Sequence, residues 1–221
     1  MSTIVVLGGG IGGLSAAFEL KDELGDKHEI VVVSDQPHFE FTPSNPWVAV
    51  NWRKPEAIRL DLDQLLSKHG IRFVGTGAKR VQPESHSLLL ENDEVLPYNY
   101  LVIASGPKLA FEEIPGLGPH GGFTQSVCKT DHASIIADQF EAFCANPGPV
   151  VIGAAQGASC YGPAYEYTFI IETELRKRKI RDRVPMVFVT PEPYVGHLGL
   201  DGVGDTKSQP EAATRERPHT C

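Results

Sequence analysis

A chain of 221 residues with 41% hydrophobic, 8% aromatic and 22% charged residues can bury an ordinary soluble core, which argues against global disorder. Its formal net charge of -8 argues against a general nucleic-acid binder, which needs a basic surface. No run is long and apolar enough to span a bilayer, and the apolar N-terminal stretch lacks the basic flank of an export signal, so the mature chain is expected to begin at or near Met1.

In chain order, Thr3 to Leu7 reads as a buried strand of β-branched and apolar residues. A glycine cluster follows, and then Leu14, Ala17, Phe18 and Leu20 recur at helical spacing before a second strand, Glu29 to Val33. This is one βαβ unit with its crossover helix packed on a parallel sheet. His38 to Asn51, rich in Phe, Pro and Trp, reads as a loop. Leu62, Leu65 and Leu66 mark a helix that Gly70 ends from the C′ position, and Ile71 to Val74 returns to the sheet. Lys79 to Leu96 alternates and turns as a small antiparallel excursion does. Tyr100 to Ala104 is a further strand, stopped by Ser105-Gly106-Pro107.

The Gly/Pro-rich stretch Pro115 to Gly122 separates this block from the next. Asp131 is expected to cap a helix carrying Ile135, Ile136, Phe140 and Phe143. Val150 to Ile152, the turn Gly153 to Gly157, a helix with Tyr165, Phe169 and Ile170, and the strand Met186 to Val189 then repeat the plan of the first block. The expected fold class is α/β, with two tandem Rossmann-like modules. Ser208 to Cys221 is polar, without hydrophobic periodicity, and is expected to be disordered.

The first glycine turn, Gly8-Gly9-Gly10-Ile11-Gly12-Gly13, places glycines at 8, 10 and 13 in the G-x-G-x-x-G spacing, directly after a strand and opening a helix. Gly8 permits the tight turn, Gly10 the approach of a pyrophosphate, and Gly13 close helix–strand packing. The helix N-terminus then presents unpaired N–H groups and partial positive charge to the phosphates. Such modules hold the ribose with an acidic residue at the end of the second strand. Ser34 stands in that slot and Asp35 follows it, with a simple turn start as the alternative for Asp35. The second turn, Gly153-Ala154-Ala155-Gln156-Gly157, lacks the spacing, which weakens a pyridine-nucleotide reaction.

Four cysteines, Cys128, Cys144, Cys160 and Cys221, are spaced too widely for a zinc ribbon or a C-x-x-C pair, and no metal site is expected. Cys160 stands beside the second helix start, where a thiol is driven towards the nucleophilic thiolate; a packed structural thiol is the alternative. Cys128 lies in the link between modules. Cys144 falls among apolar helix positions and reads as core, and Cys221 belongs to the tail. Glu166 is placed to accept a proton, and His132 and His197 are titratable candidates, against the alternative of surface or capping roles.

With these residues in view the sequence resembles the sulfide:quinone oxidoreductase family of flavoproteins. The likeness runs through Pro43-Ser44-Asn45-Pro46-Trp47-Val48, Ala104-Ser105-Gly106-Pro107-Lys108-Leu109, Gly157 to Tyr167 and Pro193 to Gly199. Ala104-Ser105-Gly106 is similar to the Ala-Thr-Gly motif of the wider superfamily. The resemblance implies an FAD-binding domain over 1–116, its cofactor contacts including Gly8, Gly10, Gly13, Ser34, Asp35, Ala104, Ser105 and Gly106. It implies a partial second Rossmann-like domain over 117–207 and a non-family tail over 208–221. It also implies a reaction in which sulfide attacks a sulfur bridge beside the flavin, electrons pass to FAD, and a membrane quinone receives them. Cys160 matches one redox cysteine of the family and Cys128 the one nearer the flavin. Glu166, His132 and His197 match positions on the sulfide side, for proton handling.

The family's chains continue further, supplying a partner cysteine, a second FAD-binding segment, much of the quinone pocket and amphipathic membrane helices. The expectation is therefore a truncated form, its fold incomplete at the C-terminus, with weak FAD retention and little turnover. The whole-length family implies a peripheral place on the cell membrane and this chain a soluble, cytoplasmic one; a homo-oligomer stays open. A catalytically silent flavin-binding fragment, a flavocytochrome c sulfide dehydrogenase flavoprotein and a type II NADH dehydrogenase-like flavoprotein are the alternatives.

Overall fold

The computed structural model describes residues 1–158 and 160–197, so the expected tail over 208–221, with Cys221, lies outside the described residues. Two compact units form: Met1–Phe41 with Glu56–Glu113, and Thr42–Pro55 with the chain from Ile114 onward.

The first unit is built on a four-stranded parallel sheet. Its strands are β1 (Thr3–Leu7), β2 (Glu29–Val33), β5 (Arg72–Val74) and β9 (Tyr100–Ile103), in the order β5-β2-β1-β9. Because side chains alternate across a strand, the valine-rich runs feed two separate cores. Val6, Ile30 and Val32 pack with Leu14 and Ala17 of helix α1 (Ile11–Leu24) and with Leu62 and Leu66 of helix α3 (Leu62–Lys68). Val5, Val31 and Val33 pack with Leu88, Leu90, Leu96 and Tyr98. These last belong to or flank an antiparallel sheet of β6 (Ala78–Gln82), β7 (Ser87–Leu90) and β8 (Val95–Pro97), the expected excursion. Each fully buried Val or Leu contributes about 1.5–3 kcal/mol. Helix α3 is capped by Asp61, whose carboxylate accepts from the Gln64 amide at 2.8 Å, and Gly70 closes it at φ +63°.

The segment read as a loop over His38 to Asn51 is more ordered than its composition suggests. β3 (His38–Glu40) pairs antiparallel with β4 (Arg59–Asp61), held by a Glu40–Arg59 ion pair at 2.7 Å. Pro46 sits in the first turn of a short helix, α2 (Asn45–Ala49), where a missing N–H costs nothing. Five residues give too short a run for periodicity to reveal.

The second unit gathers α2, helix α4 (Thr130–Ala145) and a βαβ element of β10 (Val150–Gly153), α5 (Gly162–Lys177) and β11 (Met186–Val189). β10 and β11 pair in parallel, and Ile152 and Met186 join Val50, Phe140, Ile170, Ile171 and Leu175 in its core. The expected cap at Asp131 is not formed. Lys129 is the N-cap, and the helix starts two residues earlier, where buried Thr130 donates its hydroxyl to Asn45 Oδ1 at 3.0 Å. Asp131 stands within the first turn instead. Among the described residues no helix is long and apolar enough to cross a membrane.

Candidate active site

At the junction of β1 and α1 the glycines divide into two kinds. Gly8 adopts φ +124°, and a Cβ there would lie 2.1 Å from the Ala104 carbonyl oxygen; one at Gly13 would lie 1.9 Å from the Gly8 carbonyl oxygen. Gly9, which the fingerprint leaves unassigned, is also closely packed, though against side chains rather than backbone: a Cβ would meet Leu62 Cδ1 at 2.7 Å and Ser34 at 3.1 Å. These three exist for packing. Gly10 and Gly12, by contrast, have nothing within 4 Å of the same position.

The open side of the junction is also polar. Gly10 is the N-cap of α1 without a side-chain cap bond, and no acidic residue occupies the first turn. The first N–H groups of a helix lack intrahelical acceptors and carry partial positive charge. A diphosphate can therefore approach the backbone at Gly10 and Gly12 without meeting a side chain, so the residues fit a dinucleotide. The loop after β9 leans on the same turn: the Ala104 amide donates to the Leu7 carbonyl at 2.8 Å, while Ser105 and Gly106 are exposed. Ser34 is the less accessible of the two residues at the strand end. It is buried against Gly9, and its hydroxyl accepts from the Gln36 amide at 3.1 Å; Asp35 is the exposed member of the pair.

The thiols and proton-handling candidates all belong to the second unit. Cys128 and Cys160 are free and exposed, whereas Cys144 is buried in the core beside Phe140, where burial pushes its thiol up. Cys160 lies before the helix rather than in it, since α5 begins at Gly162 with Tyr161 as N-cap. Cys128 precedes α4, its amide bonded to the Ser126 hydroxyl at 3.1 Å. Glu166 is exposed on the second turn of α5. His132 is buried in the first turn of α4, and that burial holds its imidazole below the ordinary value, opposed by Asp131. His197 packs edge-on against Tyr194, ring centroids 5.1 Å apart.

Sequence reading missed what anchors the His197 segment. Tyr165 of α5 donates to Glu192 Oε2 at 2.7 Å and accepts from the Gly196 amide at 2.8 Å, and Thr190 donates to the same Glu192 oxygen at 2.6 Å. Burial pushes the Tyr165 phenol up to about 12, so it remains a donor. The phenol and carboxylate lie 27 residues apart, a separation no local pattern reveals.

A parallel sheet with a glycine turn, an open helix N-terminus and a second strand–helix–strand element defines a dinucleotide-binding α/β protein of the two-module kind. Residues 2–155 match the pyridine nucleotide-disulphide oxidoreductase family, and the chain belongs to it. Family members are FAD-binding flavoproteins. The chain is homologous to a sulfide-quinone reductase of Aquifex aeolicus (strain VF5), with 42% identity over 214 residues, 97% of this chain and 49% of that one. A mitochondrial sulfide:quinone oxidoreductase of Dictyostelium discoideum is 27% identical over 191 residues, 85% of this chain and 42% of that protein. The crystal structure of the Aquifex aeolicus sulfide:quinone oxidoreductase superposes with a TM-score of 0.91 at 41% identity, over 98% of this chain and 49% of that one. An NAD-dependent persulfide reductase from A. fulgidus shares the fold alone, with a TM-score of 0.72 at 20% identity. The chain thus spans about half the length of the relatives it matches.

Proposed function

We propose that this chain carries the dinucleotide-binding and thiol-bearing portion of a flavoprotein that oxidises sulfide and reduces a quinone. The observation that carries the reading is the 0.91 superposition at 41% identity, which spans 98% of the chain. FAD, when bound, would accept the two electrons released by sulfide and make them available to the quinone. The α1 N-terminus with Gly10 and Gly12 would hold the diphosphate, Asp35 the ribose, and the Ala104-Ser105-Gly106 loop the adjoining part of the nucleotide.

The chain's own chemistry is thiol chemistry. A cysteine thiol and HS⁻ together give a cysteine persulfide, one proton and two electrons; a quinone takes those electrons with two protons to become the quinol. The sum consumes one proton, and both half-reactions move protons. Cys160 and Cys128, exposed and free, are the proposed sulfur carriers, because an accessible thiolate is what such attack requires. Glu166, His132 and His197 are the proposed proton carriers. A quinone acceptor is lipid-soluble, so contact with a membrane surface forms part of the same reading, in a peripheral mode.

The test is spectroscopic. Purified protein is supplied with FAD, freed of unbound flavin, and exposed anaerobically to sulfide or to NADH. The expected result is a weakly retained flavin fraction that sulfide bleaches and NADH does not, with Cys160→Ser retaining as much flavin but losing the bleaching. Flavin reduced by NADH would move the assignment to a type II NADH dehydrogenase-like activity. An oxidised spectrum that sulfide leaves unchanged would leave flavin binding alone.

A further inference from the structure

We propose that His120, Asp131 and His132 form a binding site for a divalent transition-metal ion of the Zn²⁺ class, whose occupancy would take His132 out of proton transfer. The sequence gives no hint of it, since His120 stands in the Gly/Pro-rich stretch and the other two open α4. The fold brings one ligand atom from each residue within 4.8 Å of the others. His132 Nε2 lies 3.9 Å from one Asp131 oxygen and His120 Nε2 lies 4.0 Å from the other, with the two rings edge-to-face at 5.2 Å.

Metal bonds to imidazole and carboxylate are about 2.0–2.2 Å, which sets tetrahedral ligand atoms about 3.4 Å apart. The pairs at 3.9 and 4.0 Å, which use the two different Asp131 oxygens, need to close by about half an ångström, and a pair at the 4.8 Å limit by about 1.4 Å. The site is built to allow this. The His132 side chain is only 4% exposed and gives a fixed anchor, while His120 and Asp131, at 67% and 60%, can rotate onto an ion. The loop carrying His120 is folded on itself. The Phe123 amide donates to the Gly116 carbonyl at 2.7 Å, the Gly118 amide to the Thr124 hydroxyl at 2.7 Å, and Gly122 fits against three carbonyls of residues 116–118. Two imidazoles and one carboxylate suit Zn²⁺, Cu²⁺, Ni²⁺ or Co²⁺, and not Mg²⁺ or Ca²⁺, which require mostly oxygen ligands. Three protein ligands leave a fourth position for water on the exposed side.

Binding is tested without flavin or turnover, so its failure is separate from failure of the functional reading. Chelator-treated protein is titrated with Zn²⁺ by calorimetry and with Co²⁺ by visible absorption, alongside His120→Ala and Asp131→Asn. Both substituted side chains are mostly exposed, and circular dichroism verifies that the variants fold. The expected result is one equivalent bound by the native chain, with a cobalt spectrum free of sulfur charge-transfer bands. Each variant should bind at least about tenfold more weakly, equivalent to 1.4 kcal/mol. Equal affinity in His120→Ala, no saturable equivalent in the native chain, or a thiolate–cobalt band at the first equivalent would overturn the proposal.

Discussion

Replacing Tyr165 by Phe removes one oxygen and leaves the rest of the side chain in place. The ring is 6% exposed and packs on Phe188 with centroids 4.6 Å apart, so the apolar contacts survive and no sizeable cavity opens. What is lost is the bond to Glu192 at 2.7 Å and the acceptor of the buried Gly196 amide at 2.8 Å. A hydrogen bond to a charged group contributes about 1.5–3 kcal/mol, and an orphaned buried donor costs about 1–3 kcal/mol. The two are coupled through one oxygen and do not simply add, so the expected destabilisation is about 2–4 kcal/mol. Glu192 keeps its bond from Thr190 at 2.6 Å, and the turn after β11 therefore loosens at Gly196 rather than throughout. Amide hydrogen exchange at Gly196 and His197 reports this directly, and urea unfolding reports the global share. Exchange at Gly196 should accelerate by at least about tenfold, the equivalent of 1.4 kcal/mol. An unchanged Gly196 rate together with a loss below about 0.5 kcal/mol would refute the assignment of this hydroxyl as the anchor.

Three further outcomes follow from the same geometry. Gly8→Ala should fail to fold stably, because strained φ costs about 1–3 kcal/mol before the 2.1 Å clash with Ala104 is counted, whereas Gly10→Ala should keep its melting temperature and lose FAD affinity about tenfold or more, read by flavin fluorescence. Acidification should destabilise the chain through His132: burial holds its folded value below 6.5, so the unfolded chain takes up the proton first, and stability is lost as pH falls below about 6.5 towards the folded value; urea midpoints at pH 7.5 and 5.5 should converge in His132→Gln. Glu172→Ala should cost about 3–5 kcal/mol, since the fully buried carboxylate pairs with Arg176 and faces the buried Arg181 at 4.0 Å; adding Arg181→Met should restore part of the loss, measured by denaturant unfolding.

Features fixed by neighbours in sequence were legible, and features fixed by distant contacts were not. β1, β2 and β11 fall on the residues that their β-branched runs indicate, because three to five consecutive apolar residues between polar ones admit little else. Gly70 ends α3 for a reason local to its own φ. The sequence around Asp131 suggests a cap that the chain does not use, because Thr130 is bonded in the core to Asn45, 85 residues earlier. Nothing adjacent to Gly9 indicates why it is glycine, since the atoms that crowd it belong to Leu62 and Ser34. The cluster of His120 with Asp131 and His132 depends on how a glycine-rich loop folds back, which composition does not specify.

The two glycine turns show why similar residues serve different ends. In the first, residues 8–10 alone separate β1 from α1, so the helix N-terminus opens directly on the turn and its N–H groups point where phosphates would lie. In the second, Gly153 is consumed by packing, since a Cβ there would lie 1.8 Å from the Val189 carbonyl oxygen, and residues 154–161 intervene before α5 begins. That longer crossing separates the helix N-terminus from the strand end and puts an exposed thiol, Cys160, immediately before the N-cap. A pyridine nucleotide would need the short crossing and the open glycines of the first turn. The second turn offers an exposed sulfur atom instead, which is what the role proposed for Cys160 draws on.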